Sequence, residues 1–227
     1  MLTFSVLALA MILGYVDALP AERRAGTSCD LAGARLHVPA NQTQLVAPTY
    51  APSFIGMSIG TQNYSCNATT STYTLIGALA EIFDSSCLYG TPAFKSAPTV
   101  AYDKWTATTN LTVQEIIATL RLTSDPSVLG QHYYVPNPVG SGLSPKWDFT
   151  SSGVTAGDPN AYVIGAKIGD LPSSDPNDID DLMVKAVEGD LASEVFRVQT
   201  NGGQPPTKCE AGSWNITVKY TAQYWFF

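Results

Sequence analysis

A serine flanked by glycines is the first feature of this chain that could support covalent chemistry. The run Gly56-Met57-Ser58-Ile59-Gly60 matches the nucleophile elbow of hydrolases, in which a sharp strand-to-helix turn exposes the serine. Asp103 or Asp125, followed by His132, would complete the order of a hydrolytic triad. The residues after the motif are typical of a strand, however, so we expect a β-strand relieved by glycines here. Ser58 and His132 remain the catalytic candidates.

An aromatic stretch that contains a histidine could instead bind a ligand. It consists of residues 130–134 and 147–149, which are separated by a segment rich in proline and glycine. Exposed rings beside polar groups suit stacking against sugar rings or another flat ligand. The alternative, which the sequence favours, is that these are core and strand residues with the histidine hydrogen-bonded internally. The candidate ligand contacts are His132, Tyr133, Tyr134, Trp147 and Asp148.

Five aspartates cluster near the middle of the second half of the chain: Asp170, Asp175, Asp178, Asp180 and Asp181. Clustered carboxylates can bind Ca²⁺, and a facing pair could act as the acid and base of a glycosidase. The run lacks the acidic fifth position and the glycine of a helix-loop-helix calcium site. We interpret it as a solvated acidic loop, and we predict neither a metal nor a cofactor.

Cysteines and export signals indicate a secreted chain. Cys29, Cys66, Cys87 and Cys209 show no Cys-x-x-Cys spacing, and the chain has only two histidines, so two disulfides are favoured over a metal site. Three pairings are open. We predict Cys66–Cys87, which would close a local hairpin, and Cys29–Cys209, which would tie the N-terminus to the final hairpin.

The N-terminus reads as a targeting segment. Residues 1–18 match a signal peptide, residues 19–24 a propeptide that ends in a dibasic site, and residues 25–227 a single β-rich domain. The alternative for the apolar start is a buried strand or helix. Five acceptor sequences for N-glycans agree with export: Asn41, Asn63, Asn67, Asn110 and Asn215. We therefore predict a secreted, extracellular glycoprotein.

The hydrophobic pattern of the sequence predicts mainly β-strands, which would position all of these residues. The closing strand alternates strictly, which predicts an apolar face of Trp214, Ile216, Val218, Tyr220, Ala222, Tyr224 and Phe226 and a wet face of Asn215, Thr217, Lys219, Thr221 and Gln223. Other predicted strands are Arg35–Val38, Phe54–Cys66, Thr72–Phe83, Thr99–Trp105, Ala161–Ile168, Leu182–Val187 and Leu191–Thr200. Helical spacing predicts one short helix in Leu111–Leu122. The fold class is therefore all-β, an antiparallel sandwich or barrel with one short helix.

The net charge limits the classes of partner that this chain would bind. The net charge is −7, and only 14% of residues are charged, which argues against nucleic acid or an anionic membrane as a partner.

Four stretches resemble a family of secreted fungal and bacterial proteins known as domain of unknown function 3455 (DUF3455). They are residues 60–66, residues 129–134, the run 196–206 up to Cys209, and residues 220–226. The resemblance implies a fungal extracellular protein with no established activity, so it assigns no catalytic residue. Members are sometimes labelled malate dehydrogenase, but this chain has no Gly-x-Gly-x-x-Gly opening a strand–helix unit to hold a dinucleotide.

Two function classes follow. We predict a non-enzymatic protein that interacts with a cell-wall glycan or a host surface component, a class that includes effectors. The alternative is an extracellular hydrolase acting on an ester or a polysaccharide. A pocket that joins Ser58 or paired carboxylates to His132 would favour the hydrolase.

Overall fold

The structure is a computed structural model that describes residues 29–108, 110–123 and 127–227. The predicted signal peptide, the predicted propeptide and Asp125 lie outside the described residues.

Eight antiparallel strands close into one barrel. Each strand pairs with the next one along the chain, and the last strand pairs back to the first, which confirms the all-β prediction in its barrel form. The strands are β1 Phe54–Asn67, β2 Thr72–Asp84, β3 Val128–Pro136, β4 Leu143–Asp148, β5 Tyr162–Leu171, β6 Asp181–Glu188, β7 Glu194–Gly202 and β8 Ile216–Phe226. The predicted strands Phe54–Cys66, Thr72–Phe83, Ala161–Ile168, Leu182–Val187 and Leu191–Thr200 are confirmed within a few residues.

Two helices lie outside the barrel, α1 at Pro92–Ala107 and α2 at Val113–Thr123. The second confirms the predicted helix. The first overturns the predicted strand Thr99–Trp105, and Arg35–Val38 is irregular chain rather than a strand. No helix among the described residues is long and apolar enough to cross a membrane.

Helix α1 covers the face of β8 that was predicted to be wet. Pro98 has no N–H, so the carbonyl of Phe94 lacks its intrahelical partner. Gln223 Nε2 donates to that carbonyl at 2.8 Å, and Thr221 Oγ1 donates to the Pro98 carbonyl at 2.7 Å. Both side chains are buried. The wet-face prediction is therefore wrong for Thr221 and Gln223, because a helix satisfies their polar groups.

The start of the closing strand also differs from the prediction. β8 begins at Ile216, and Trp214 precedes it with 90% of its surface exposed. Trp214 is therefore not a core residue. The apolar face of the strand is fully buried only from Tyr220 onward.

The barrel interior is divided between a closed end and an open end. At the closed end, Phe149 and Phe226 pack edge to face with ring centroids 5.1 Å apart, and Phe54 meets Phe149 at 5.8 Å. Leu191 and Val195 complete this apolar plug. The open end lies where β1 joins β2, β3 joins β4, β5 joins β6 and β7 joins β8. It holds the polar interior residues described below.

The disulfide pairing differs from the prediction. Cys29 bonds Cys87, and Cys66 bonds Cys209. In the β1–β2 hairpin Cys66 lies opposite Tyr73, whereas Cys87 follows the far end of β2, roughly 35 Å away along an extended strand. The local pair Cys66–Cys87 is therefore geometrically impossible. Cys66–Cys209 instead joins the end of β1 to the β7–β8 loop at the open end.

The helix-covered face of β8 gives a direct test of this packing. We expect Gln223→Ala to lower the free energy of unfolding by about 1–3 kcal/mol, because it leaves the buried Phe94 carbonyl without a donor. Thr217→Ala, on the exposed start of the strand, should change it by less than about 0.5 kcal/mol. Denaturant midpoints of both unglycosylated proteins make the comparison, since Thr217→Ala also removes the Asn215 acceptor site. Equal midpoints would mean that α1 does not cover this face.

Candidate functional site

A cavity of about 480 Å³ occupies the open end of the barrel. We call it the barrel mouth. Its wall combines polar and charged side chains from the strands with an apolar rim. The residues that matter below are Gln62, Tyr64, Leu75, Tyr134, Leu143, Lys167, Asp170, Ile179, Asp180, Leu182 and Arg197. The mouth of a β-barrel is a common place for a small-molecule site.

Arg197 places a positive charge inside the barrel. Its side chain is only 8% exposed. Nε and Nη2 both donate to the backbone carbonyl of Asp180, at 3.1 and 2.7 Å. Among the described residues, Arg197 forms no salt bridge. A buried cation without a salt bridge would gain from an anionic partner.

Tyrosines surround this arginine. Tyr64 donates its hydroxyl hydrogen to the Gly203 carbonyl at 2.8 Å, and the hydroxyls of Tyr220 and Tyr224 lie 3.3 Å apart. Burial raises the pKa of Tyr64 to about 12, although Arg197 opposes this shift. The Tyr134 hydroxyl has no hydrogen-bond partner among the described residues. It is therefore available to a ligand in the mouth.

Gln62 presents a second unused donor. The side chain is 1% exposed, and Nε2 has no hydrogen-bond partner among the described residues. Because an unpaired buried amide costs about 1–3 kcal/mol, such a group calls for a ligand or a water. Trp147 Nε1, on an interior residue of the same barrel, is a further buried donor with no partner in the part of the chain that the structure describes.

Two carboxyl groups face each other at the mouth. Burial raises the pKa of Asp180, and the neighbouring Asp170 carboxyl raises it further. Lys167 Nζ donates to Asp170 Oδ2, whereas the buried Oδ1 has no donor while both acids are ionised. The raised pKa favours the protonated form of the Asp180 carboxyl more than in a free aspartate.

The five predicted ligand contacts divide between the two faces of the barrel wall. His132 and Trp147 face the interior, where their rings stack 4.7 Å apart, and Tyr134 lies 5.8 Å from the His132 ring. Tyr133 and Asp148 face outward. The Tyr133 hydroxyl donates to Asp148 Oδ2 at 2.7 Å, and Lys146 pairs with the same oxygen at 3.0 Å. Although burial opposes the shift, hydrogen bonds from Thr150, Tyr133 and Lys146 lower the pKa of Asp148 to about 2.

His132 is neutral at physiological pH. Its Nδ1 lies 2.9 Å from the Lys146 carbonyl. A carbonyl only accepts, so Nδ1 carries the hydrogen and Nε2 keeps the lone pair. Full burial lowers the pKa to about 4. The internal hydrogen bond agrees with the alternative that the sequence favoured.

Ser58 lies in the middle of β1 and not at a strand-to-helix turn. Its hydroxyl oxygen accepts from the Ala222 N–H at 3.1 Å and donates to the Ala222 carbonyl at 3.3 Å. A Cβ at Gly60 would lie 2.4 Å from the Ala80 Cβ, so this glycine permits close pairing of β1 with β2. Asp103 is exposed on α1. The structure therefore does not bring Ser58 and Asp103 together.

The other aspartates of the acidic cluster diverge. Asp175 accepts from Asn177, Asp178 accepts from the Gly202 N–H at 2.5 Å, and Asp181 faces the outer surface. Within the described ranges, no group of three or more His, Cys, Asp or Glu side chains could hold a metal ion. Of the acceptor asparagines, Asn41, Asn67, Asn110 and Asn215 are exposed, and Asn63 is partly buried.

A larger groove of about 1460 Å³ runs along the outer surface between residues 35–42 and α1. Burial raises the pKa of Asp181 there to about 6. The unpaired buried polar atoms of the described residues all belong to residues outside the lining of this groove. The barrel mouth is therefore the better candidate site.

The sequence analysis missed Gln62, Lys167 and Arg197. Arg197 had a visible signal, since it shares strand parity with the buried Val195. A charged residue on an apolar face is more informative than the aromatic stretch that we singled out.

Buried His132 predicts a loss of stability in acid. Its folded pKa of about 4 lies below the ordinary 6.5, so the neutral folded state is favoured above pH 6.5 and loses stability as the pH falls towards 4. The slope should be up to about 1.4 kcal/mol per pH unit. His132→Gln should flatten it, which urea unfolding between those pH values would measure. Asp181 has a raised pKa and therefore increases stability as the pH falls. Its contribution is the same in the parent protein and in His132→Gln, so it cancels in the comparison. Parallel curves would mean that His132 is not buried in its neutral form.

Comparison with known proteins confirms the resemblance seen in the sequence. The model of the family "Protein of unknown function (DUF3455)" matches residues 47–227. No curated protein and no solved structure matches the chain. Because the match spans every strand of the barrel and every residue that lines its mouth, the chain belongs to the DUF3455 family.

Proposed function

We propose that this protein is a secreted glycoprotein that acts outside the cell by holding a small component of a cell wall or host surface in its barrel mouth. The observation that carries the proposal is a cavity of about 480 Å³. Within the described part of the chain, its wall presents Arg197 without a salt bridge and Gln62 Nε2 without a hydrogen-bond partner. Such a wall is costly when empty and is stabilised by a complementary ligand. Two disulfides and four exposed acceptor asparagines support the extracellular setting.

A hydrolase is the second candidate, and one observation favours it. Asp170 and Asp180 lie side by side in the same cavity, where burial and the Asp170 carboxyl raise the pKa of Asp180, and a carboxyl with a raised pKa can donate and accept a proton in turn. Against a glycosidase, the two carboxyl groups are in hydrogen-bonding contact, whereas both glycosidase mechanisms need a gap of about 5 Å or more. Turnover of cell-wall polysaccharides or model esters that Asp180→Asn abolishes would establish the hydrolase.

A blocked variant tests the binding proposal. Leu75→Trp would fill the rim of the mouth, where Leu75 is 41% exposed, and Ile168→Trp adds the same bulk outside the cavity, at a residue that is 52% exposed. The protein, expressed with its glycans, would be screened on an array of cell-wall and host glycans and then exposed to cell-wall extracts for native mass spectrometry. We expect a bound small molecule or glycan that is lost in Leu75→Trp and kept in Ile168→Trp. Equal retention in both variants would contradict the proposal.

A further inference from the structure

Resting on the proposed function, we infer that the barrel mouth is built for an amphipathic carboxylic acid, whose carboxylate meets Arg197 and whose apolar body lies against the rim.

Arg197 is the group in the cavity that suits a negatively charged ligand. Lys167 and Asp170 neutralise each other as an ion pair, and the Asp180 carboxyl lies against Asp170. Arg197 contacts Asp180 only through the backbone carbonyl. The guanidinium of Arg197 therefore has no carboxylate within salt-bridge distance among the described residues. A planar guanidinium recognises a carboxylate through two parallel hydrogen bonds.

Neutral donors reinforce this choice. Gln62 Nε2 and the Tyr134 hydroxyl line the same cavity, and neither has a hydrogen-bond partner among the described residues. Donors that point into a cavity favour a ligand group that only accepts hydrogen bonds, which an ionised carboxylate does. A dianionic phosphate would leave one negative charge without a cation in a buried site, so the monoanion is preferred.

The rim of the mouth is apolar. Leu75 and Leu143 line it with 41% and 51% of their surfaces exposed, and Ile179 and Leu182 lie further inside. Exposed leucines around a polar pocket suit a ligand with an apolar body and one charged end. The volume of about 480 Å³ accommodates a ligand of ordinary drug-like size.

Two fluorescent probes separate the charge from the apolar body. 8-Anilinonaphthalene-1-sulfonate carries one anionic group, and N-phenyl-1-naphthylamine has the same rings without it. We expect the intact protein to bind the sulfonate at least about tenfold more tightly than the amine, because only the sulfonate can accept a charge-assisted hydrogen bond from Arg197. Arg197→Met should remove that preference and leave binding of the amine unchanged. Lys185→Met, which removes an exposed charge from the outer face of β6, should keep the preference.

Tyr134→Phe keeps the test decisive if Arg197→Met does not fold. It removes only the hydroxyl and should weaken the sulfonate about threefold or more, without affecting the amine. Competition against the bound sulfonate distinguishes the acids, since we expect 1-naphthoate to displace it at lower concentration than 1-naphthyl phosphate or 1-naphthol. Displacement by the phosphate first would overturn the carboxylate assignment.

The outcomes separate the inference from the proposed function. If both probes bind equally and Arg197→Met changes neither affinity, the proposal that the mouth binds a ligand is retained. The inference that this ligand is a carboxylic acid is then wrong. If neither probe binds and Leu75→Trp has no effect on ligand retention, the binding function itself fails. Unchanged thermal unfolding of each variant excludes probe binding to a loosened protein.

Discussion

Replacing Phe226 by alanine should lower the free energy of unfolding by about 3–5 kcal/mol, because it removes the centre of the apolar plug and leaves a cavity. The ring is fully buried and packs edge to face on Phe149 at 5.1 Å and on Trp147 at 6.4 Å. Phe54 and Val195 lie opposite Phe226 on the two neighbouring strands. The denaturant midpoint of the purified variant measures the loss.

Trp214→Ala is the matched control, since it removes a larger ring from the same end of the sequence. With 90% of its surface exposed, Trp214 should contribute less than about 0.5 kcal/mol. A comparable loss in both variants would mean that Trp214 is packed against part of the protein and that the closing strand begins earlier than Ile216.

Removing the Cys66–Cys209 bond should cost about 3–5 kcal/mol. The bond closes a loop with a sequence separation of 143 residues, and cross-linking a loop of that size restricts the unfolded chain strongly. It also holds the β7–β8 loop beside the barrel mouth, where the Cys209 N–H donates to the Ser71 carbonyl at 3.0 Å. The double variant Cys66→Ala/Cys209→Ala should therefore unfold at lower denaturant concentration and bind mouth ligands more weakly.

Thiol titration of a second double variant tests the pairing itself. Cys66→Ala/Cys209→Ala should show no free thiol after denaturation, because Cys29 and Cys87 remain bonded. Cys66→Ala/Cys87→Ala should show two, since each removal leaves a partner free. Two free thiols in Cys66→Ala/Cys209→Ala and none in Cys66→Ala/Cys87→Ala would show that Cys66 bonds Cys87 instead.

The sequence predicted the parts of the fold that depend on local pattern. Alternation in β8 identified Tyr220, Tyr224 and Phe226 as core residues, and all three are buried. The same alternation misjudged Gln223, because the pattern of one strand carries no information about which helix lies on its polar face. α1 was mistaken for a strand around Thr99–Trp105, although Phe94, Pro98 and Trp105 are spaced as on one helical face.

The candidate site could not be assembled from the sequence. Gln62, Lys167 and Arg197 come from three different strands, and they meet only because the barrel closes. The nucleophile elbow of Ser58 failed for a local reason, since its glycines serve close strand pairing. Disulfide pairing depended on the direction in which β2 carries Cys87 away from Cys66, and this distance is a property of the folded hairpin.

A crystal structure of the protein soaked with 8-anilinonaphthalene-1-sulfonate tests the central claim most directly. We expect density for the probe in the barrel mouth, with the sulfonate within hydrogen-bonding distance of Arg197 and the rings against Leu75 and Leu143. Density only in the outer groove between residues 35–42 and α1, or an unoccupied mouth at saturating probe, would contradict the assignment of the mouth as the binding site.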